Sequence, residues 1–124
     1  VVVAWSPAGL VGASAGDSEA WMIHRDLDDL TLAQPRRRLG SGQVTPVGFS
    51  RATPVGSLLV ASDGLFKYAS VPDLCALVLE GEPHEAVERL VSRVRLPSGA
   101  LQDDVAVVLV RRGSGSSACS SGSR

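Results

Sequence analysis

Short apolar blocks separated by Gly, Pro and Asp turns set the rhythm of the first 25 residues. Val1–Ser6 reads as a β-branched strand, Pro7-Ala8-Gly9 as a turn, and Leu10–Ala15 as a second strand of alternating small and apolar residues. Gly16-Asp17-Ser18 is a further turn, followed by a short strand over Glu19–Arg25 that carries Ala20, Trp21, Met22 and Ile23. Three strands joined by tight turns predict an antiparallel meander. From Asp26 to Gly56 the periodicity fades: Pro, Gly and the run Arg36-Arg37-Arg38 predict a long surface loop or flap, a kind of segment that in a compact domain usually carries function.

Order returns at Ser57-Leu58-Leu59-Val60-Ala61, a continuous apolar run of the sort buried on both faces of a sheet, which stops at Ser62-Asp63-Gly64. Ser70 is placed to cap a helix, with Asp73 three residues on and Val71, Leu74, Cys75 and Val78 at helical spacing. Cys75 then reads as a small core residue. A second helix opens at Pro83 and places Val87, Leu90, Val91 and Val94 on one face with charges opposite. After Leu101-Gln102-Asp103-Asp104 comes a strand of buried type over Val105–Val110, leaving at Arg111-Arg112.

Composition narrows the possibilities. The chain has 124 residues, 44% of them apolar, enough for one core and not for two domains. A formal net charge of −1 gives no electrostatic reason to expect nucleic acid or an anionic membrane as partner. The longest apolar runs fall far short of the roughly 20 residues that cross a bilayer, so no membrane span is expected and a cytoplasmic location is. Cys75 and Cys119 show neither disulfide nor zinc spacing. A strand pattern at residue 1, with no initiator Met and no signal-peptide pattern, leads to the expectation that the sequence begins inside structure. The domain is expected to span 1–112. Residues 113–124, nine of them Gly or Ser, read as a flexible tail that carries Cys119 as an incidental thiol.

Candidate chemistry lies at strand ends. Asp63 directly follows the apolar strand 57–61, and Asp103-Asp104 precedes the strand 105–110. If those strands are antiparallel neighbours, the carboxylates meet at one sheet edge, and Asp17 reaches the same edge if its turn points that way. Gathered carboxylates repel one another and need a cation or a shared proton, and an all-oxygen set suits Mg²⁺ or Mn²⁺ better than Zn²⁺. The plainer alternative is turn chemistry, since Asp-Gly and Gly-Asp-Ser are ordinary turn sequences. His24 and His84 read as solvated, and Gly40-Ser41-Gly42 lacks the Lys-Ser/Thr of a phosphate-binding loop. The Arg36–Arg38 run reads as a solvated loop face, or as a lure for phosphate beside the flap.

At these residues the chain resembles the metal-dependent serine/threonine protein phosphatases of type 2C, including their bacterial branch. Ala15-Gly16-Asp17-Ser18-Glu19-Ala20-Trp21 is similar to the family's Gly-Asp-Ser block, and Leu58–Phe66 to its strand running into Ser-Asp-Gly. Gln102–Val110 is similar to its last Asp-Asn or Asp-Asp block and the strand after it. The resemblance covers about residues 1–112 and only the C-terminal part of the family's domain. It implies an α+β fold, a four-layer α/β/β/α sandwich of antiparallel sheets, present here as a partial domain. It implies metal ligation by Asp63 and Asp103 and a weaker third ion at Asp17. Ser62, Gly64 and Asp104 then support the site, with two or three Mn²⁺ or Mg²⁺ ions in the complete domain. The activity implied is hydrolysis of phosphoserine or phosphothreonine in a phosphorylated protein substrate by an activated water, in signalling. The family's first-half blocks, including the Asp-Gly-x-Gly whose Asp bridges two metals, do not occur in this sequence. Lys67 stands where many members carry an acidic residue, and Asp104 replaces the usual Asn. The alternative reading is a non-enzymatic pseudophosphatase or fragment that binds a partner protein.

Overall fold

The structure, a computed structural model, describes residues 1–112; the expected 113–124 tail, with Cys119, lies outside the described residues. Strands β1 (Val2–Ser6), β2 (Gly9–Ser14) and β5 (Val47–Arg51) form one antiparallel sheet in the order β1-β2-β5. Strands β3 (Glu19–Ile23), β4 (Leu27–Asp29), β6 (Ser57–Ala61) and β7 (Val107–Arg111) form a second, in the order β4-β3-β6-β7. Between β6 and β7 lie the short helix α1 (Asp63–Phe66), then α2 (Val71–Leu79) and α3 (Pro83–Arg93).

The period of two along β3 and β6 sorts their side chains into two cores. Trp21, Ile23, Leu59 and Ala61 face the helices and pack with Leu65, Leu74, Val78, Leu90 and Val94. Ala20, Met22 and Leu58 face the other sheet and pack with Leu10, Leu30, Val3, Trp5 and Phe49. The expected α+β sandwich of two antiparallel sheets is the observed architecture, and among the described residues the helices cover the outer face of the second sheet. Ser57–Ala61 is buried on both faces as its apolar run predicts, and it pairs antiparallel with β7.

Three expectations are corrected. Strands 1–25 are not a meander: β2 pairs with β1 and β5, and the chain crosses to the other sheet through Gly16, at φ 107°, before β3 begins. The reason is burial, because Ala20 to Ile23 is buried on both faces and needs a layer on each side. The segment 26–56 is not wholly loop, since it supplies β4 and β5. Strand β5 escapes a reading by apolar pattern because its sequence Val-Gly-Phe-Ser-Arg has one packed side chain, Phe49. Gly12 makes room for that ring: a Cβ there would lie 2.4 Å from Phe49 Cζ and from the Val2 carbonyl. The strand read as Val105–Val110 begins at Val107 and is not buried; it alternates half-buried and exposed, with Val108 57% exposed, because it lies at a sheet edge.

The helices follow their sequence signals closely. Ser70 caps α2, its Oγ accepting the Asp73 N–H at 3.3 Å. Asp73 then accepts from Arg93 at the far end of α3, at 2.5 and 3.1 Å, which binds the two helices together. The stripe α3 buries is Ala86 and Leu90, continued by Val94, with Val87 and Val91 only flanking it. Cys75 packs half-buried against the core, and burial pushes its thiol pKa up, away from the thiolate. The two sheets are also tied at one side, where Arg51 of β5 donates to Asp28 of β4 at 2.7 and 2.8 Å.

Leu59→Ala, at the centre of the second sheet, is expected to cost about 2–5 kcal/mol by the cavity it leaves, and Val108→Ala less than about 1 kcal/mol. Chemical denaturation of the two variants checks the assignment of the faces; equal losses would contradict it. A second expectation concerns pH. The hydrogen bond from Arg51 holds the Asp28 carboxyl below its ordinary range, with burial opposing. Because the folded value lies below the unfolded one, the pair's contribution is complete above the unfolded carboxyl value of about 3.9 and fades as pH falls through the folded value. With both side chains close to half exposed, the pair contributes at most about 1 kcal/mol. Asp28→Asn should therefore lower Tm slightly at pH 7, and the gap from wild type should close in acid.

Candidate metal centre

The register of the second sheet brings three chain segments to one edge. Glu19 pairs with Ala61, and Ala61 with Val107, so the start of β3, the end of β6 and the start of β7 are level. Ser62 leaves β6 there and fastens the segment that enters β7. Its N–H donates to the Ala106 carbonyl at 3.0 Å, while its Oγ donates to the Asp104 carbonyl at 3.1 Å and accepts the Ala106 N–H at 2.9 Å. Ser62 is thus bonded to 104–106 through both backbone and side chain.

The turn after Ser62 closes into α1, held by Lys67 N–H to the Asp63 carbonyl at 2.9 Å and anchored by the fully buried Leu65. Gly64 lets this turn touch the entering segment, for a Cβ on it would lie 2.4 Å from the Asp104 carbonyl oxygen. The side chain of Asp63, one turn before Lys67, meets the ammonium at 2.5 Å, and Asp103 reaches the same ammonium at 3.5 Å. Two oxygens that share one nitrogen at those distances are at most about 6 Å apart. Asp103 also accepts the Asp104 N–H at 2.8 Å, which steadies its carboxylate.

Charge follows geometry. The Lys67 hydrogen bond is the main influence that lowers the Asp63 pKa; burial acts against it, and the Gly64 N–H adds to the lowering. Asp63 in turn raises the Lys67 pKa, with a smaller push from Asp103. Of the two neighbouring carboxylates, Asp103 faces Asp63, whereas Asp104 is exposed and contributes its backbone carbonyl to Ser62. Asp17 lies exposed in the crossing before β3. Among the described residues no three His, Cys, Asp or Glu are grouped so as to hold an ion, so Asp63 and Asp103 stand as a pair without Asp17. His24 and His84 are exposed. Lys67 is the residue whose part in the site the sequence reading missed; the signal was its i, i+4 spacing from Asp63, which becomes a contact only once α1 is a helix.

No family model matches the chain, and no curated protein matches it. Solved structures do. PppA, a regulatory component of the type VI secretion system in Pseudomonas aeruginosa, is 22% identical with a TM-score of 0.71, over 89% of this chain and 55% of that one. The serine/threonine phosphatase Stp1 from Staphylococcus aureus is 20% identical with a TM-score of 0.74, over 90% and 54%. The catalytic domain of the serine/threonine protein phosphatase PstP, in complex with two manganese ions, is 19% identical with a TM-score of 0.68, over 86% and 55%. The fold is that of the bacterial serine/threonine phosphatases. The chain spans about half the length of these structures, in keeping with a partial domain.

Within this phosphatase fold the pair Asp63 and Asp103 suits a hard divalent ion in chemistry, since both offer carboxylate oxygens and already flank a cation, the Lys67 ammonium. Two carboxylates supply only part of an octahedral set.

Gly64→Ala is expected to push α1 off the 103–105 segment and destabilise the protein by about 1–3 kcal/mol, as overpacking does. Ser62→Ala removes two hydrogen bonds and should cost about 1–2 kcal/mol. Urea denaturation measures both, and an unchanged Gly64→Ala midpoint would contradict the close approach.

Proposed function

We propose that this chain is the C-terminal part of a metal-dependent serine/threonine protein phosphatase domain and that Asp63 and Asp103 are its contribution to the metal centre. The observation that carries the reading is the meeting of these two carboxylates at the ends of β6 and β7, within a fold shared with phosphatases. Mn²⁺ or Mg²⁺ would be held by Asp63 and Asp103, with Asp17 serving a weaker third ion. Bound there, the ions supply Lewis acidity, which makes a nucleophile of water at neutral pH and neutralises phosphate oxygens.

The chain's own residues position. Ser62 fixes the end of β6 against 104–106, Gly64 permits the contact, and Asp104 gives its carbonyl to Ser62, so the two carboxylates are set before any ion arrives. Their small separation favours a shared cation over two independent ones. The substrate class is a phosphoserine or phosphothreonine protein, and the segment 26–56 helps to select it. A cytoplasmic signalling role fits that substrate. Among the described residues no helix is long and apolar enough to cross a membrane.

A second reading, a binding module without catalysis, is favoured by one observation: Lys67 already neutralises the acidic pair. Hydrolysis of a phosphothreonine peptide separates the two. The chain alone should turn over little or nothing, because it holds one side of a two-ion site. Joined to a segment that completes the fold, it should show Mn²⁺-dependent turnover that Asp63→Asn lowers at least about 100-fold. Turnover that ignores chelator, or survives Asp63→Asn, would overturn the metal-dependent reading. A completed domain that binds phosphopeptide without cleaving it would favour the module.

A further inference from the structure

Lys67 is the only lysine in the sequence, and its ammonium lies between the two carboxylates that the phosphatase reading assigns to a divalent ion. From this placement we infer that Lys67 is a built-in cation of the site: it neutralises Asp63 and Asp103 when no metal is bound, and it must leave before a divalent ion can bind. The inference rests on the assignment of that pair as metal ligands.

Three features support it. Asp63 opens α1 and Lys67 caps it one helical turn on, so their contact at 2.5 Å is set by local structure and forms with that turn. Asp103 comes from the other side of the edge, and its 3.5 Å contact makes the ammonium a bridge between α1 and the segment entering β7. The lysine side chain is 54% exposed, so its stem can swing into solvent without disturbing the core. With the ammonium in place the pair carries a net −1; without it, −2. A divalent ion entering beside a retained ammonium would meet a like charge a few Å away, which is unfavourable even at a surface. Displacement of the lysine is therefore part of the binding equilibrium, and it weakens apparent metal affinity. A site guarded in this way fills only when the ion is abundant or when a partner segment draws the lysine aside.

The test is calorimetric titration of Mn²⁺ into the chain, with Tm measured beside it with and without Mn²⁺. Lys67→Met, which keeps the stem and loses the charge, should bind Mn²⁺ at least about tenfold more tightly than wild type, while Lys67→Arg should bind as weakly as wild type. Without metal, Lys67→Met should melt lower than wild type at low salt, and Mn²⁺ should raise its Tm by more than it raises that of wild type. Lys67→Gln repeats the comparison should the Met variant fail to fold. Equal affinity in wild type and Lys67→Met, with binding lost in Asp63→Asn, overturns the built-in cation and leaves the phosphatase reading standing. Absence of Mn²⁺ binding in every form overturns the built-in cation, while the phosphatase reading, which gives this chain only one side of the site, is then decided by turnover of the completed domain.

Discussion

The ladder between β6 and β7 is the constraint on which the site depends. It is antiparallel, so the residue that leaves one strand and the residues that enter the other lie at one edge, and its register puts Ala61 opposite Val107. Ser62 extends that ladder beyond its last strand pair through its own N–H and hydroxyl. Asp63 and Asp103, forty residues apart in sequence, then have little freedom to be anywhere but beside one another. A shift of one residue in this pairing would turn Leu59 and Ala61 out of the helix-side core and would move Asp63 away from Asp103, so burial of apolar side chains also aligns the carboxylates.

Electrostatics finishes what the ladder begins. Two carboxylates at a sheet edge destabilise each other unless a cation intervenes, and here the nearest cation is one helical turn from the first of them. The short helix α1 thereby links backbone to charge: Leu65 pins it to the core, Gly64 lets it approach the 103–105 segment, and Lys67 closes the ion triad. None of these contacts is strong in isolation. Their joint effect is a pair of carboxylates oriented by the fold.

Much of this could be read in the residues. The buried run 57–61, the Ser70 cap and the Pro83 start are local signals, and each appears where its pattern places it. The proximity of Asp63 and Asp103 followed from one topological assumption, that their strands are antiparallel neighbours, which the register supports. What escaped was non-local. Strand β5 has little apolar signal of its own and is held by the β2 ladder, with Phe49 lying over Gly12. The crossing at Gly16 cannot be told from a hairpin turn by its residues, because the choice is made by the need of Trp21 and Ile23 for a helical layer. The surroundings of Asp17 likewise depend on the path of the chain after its turn, which leaves it exposed in the crossing before β3.

The position of Lys67 bears on how a half-length unit keeps its acidic edge. Neighbouring carboxylates repel one another unless a positive charge offsets them, whether a metal ion or an ammonium. An acidic pair at a sheet edge needs positive charge beside it, and an i, i+4 lysine provides one at no cost in topology. If the pair holds a divalent ion as proposed, the same choice limits the site, because the Lys67 ammonium competes for the same carboxylates. On the proposed reading, fold stability and metal occupancy would pull on a single nitrogen, the Lys67 ammonium that lies against Asp63 and Asp103.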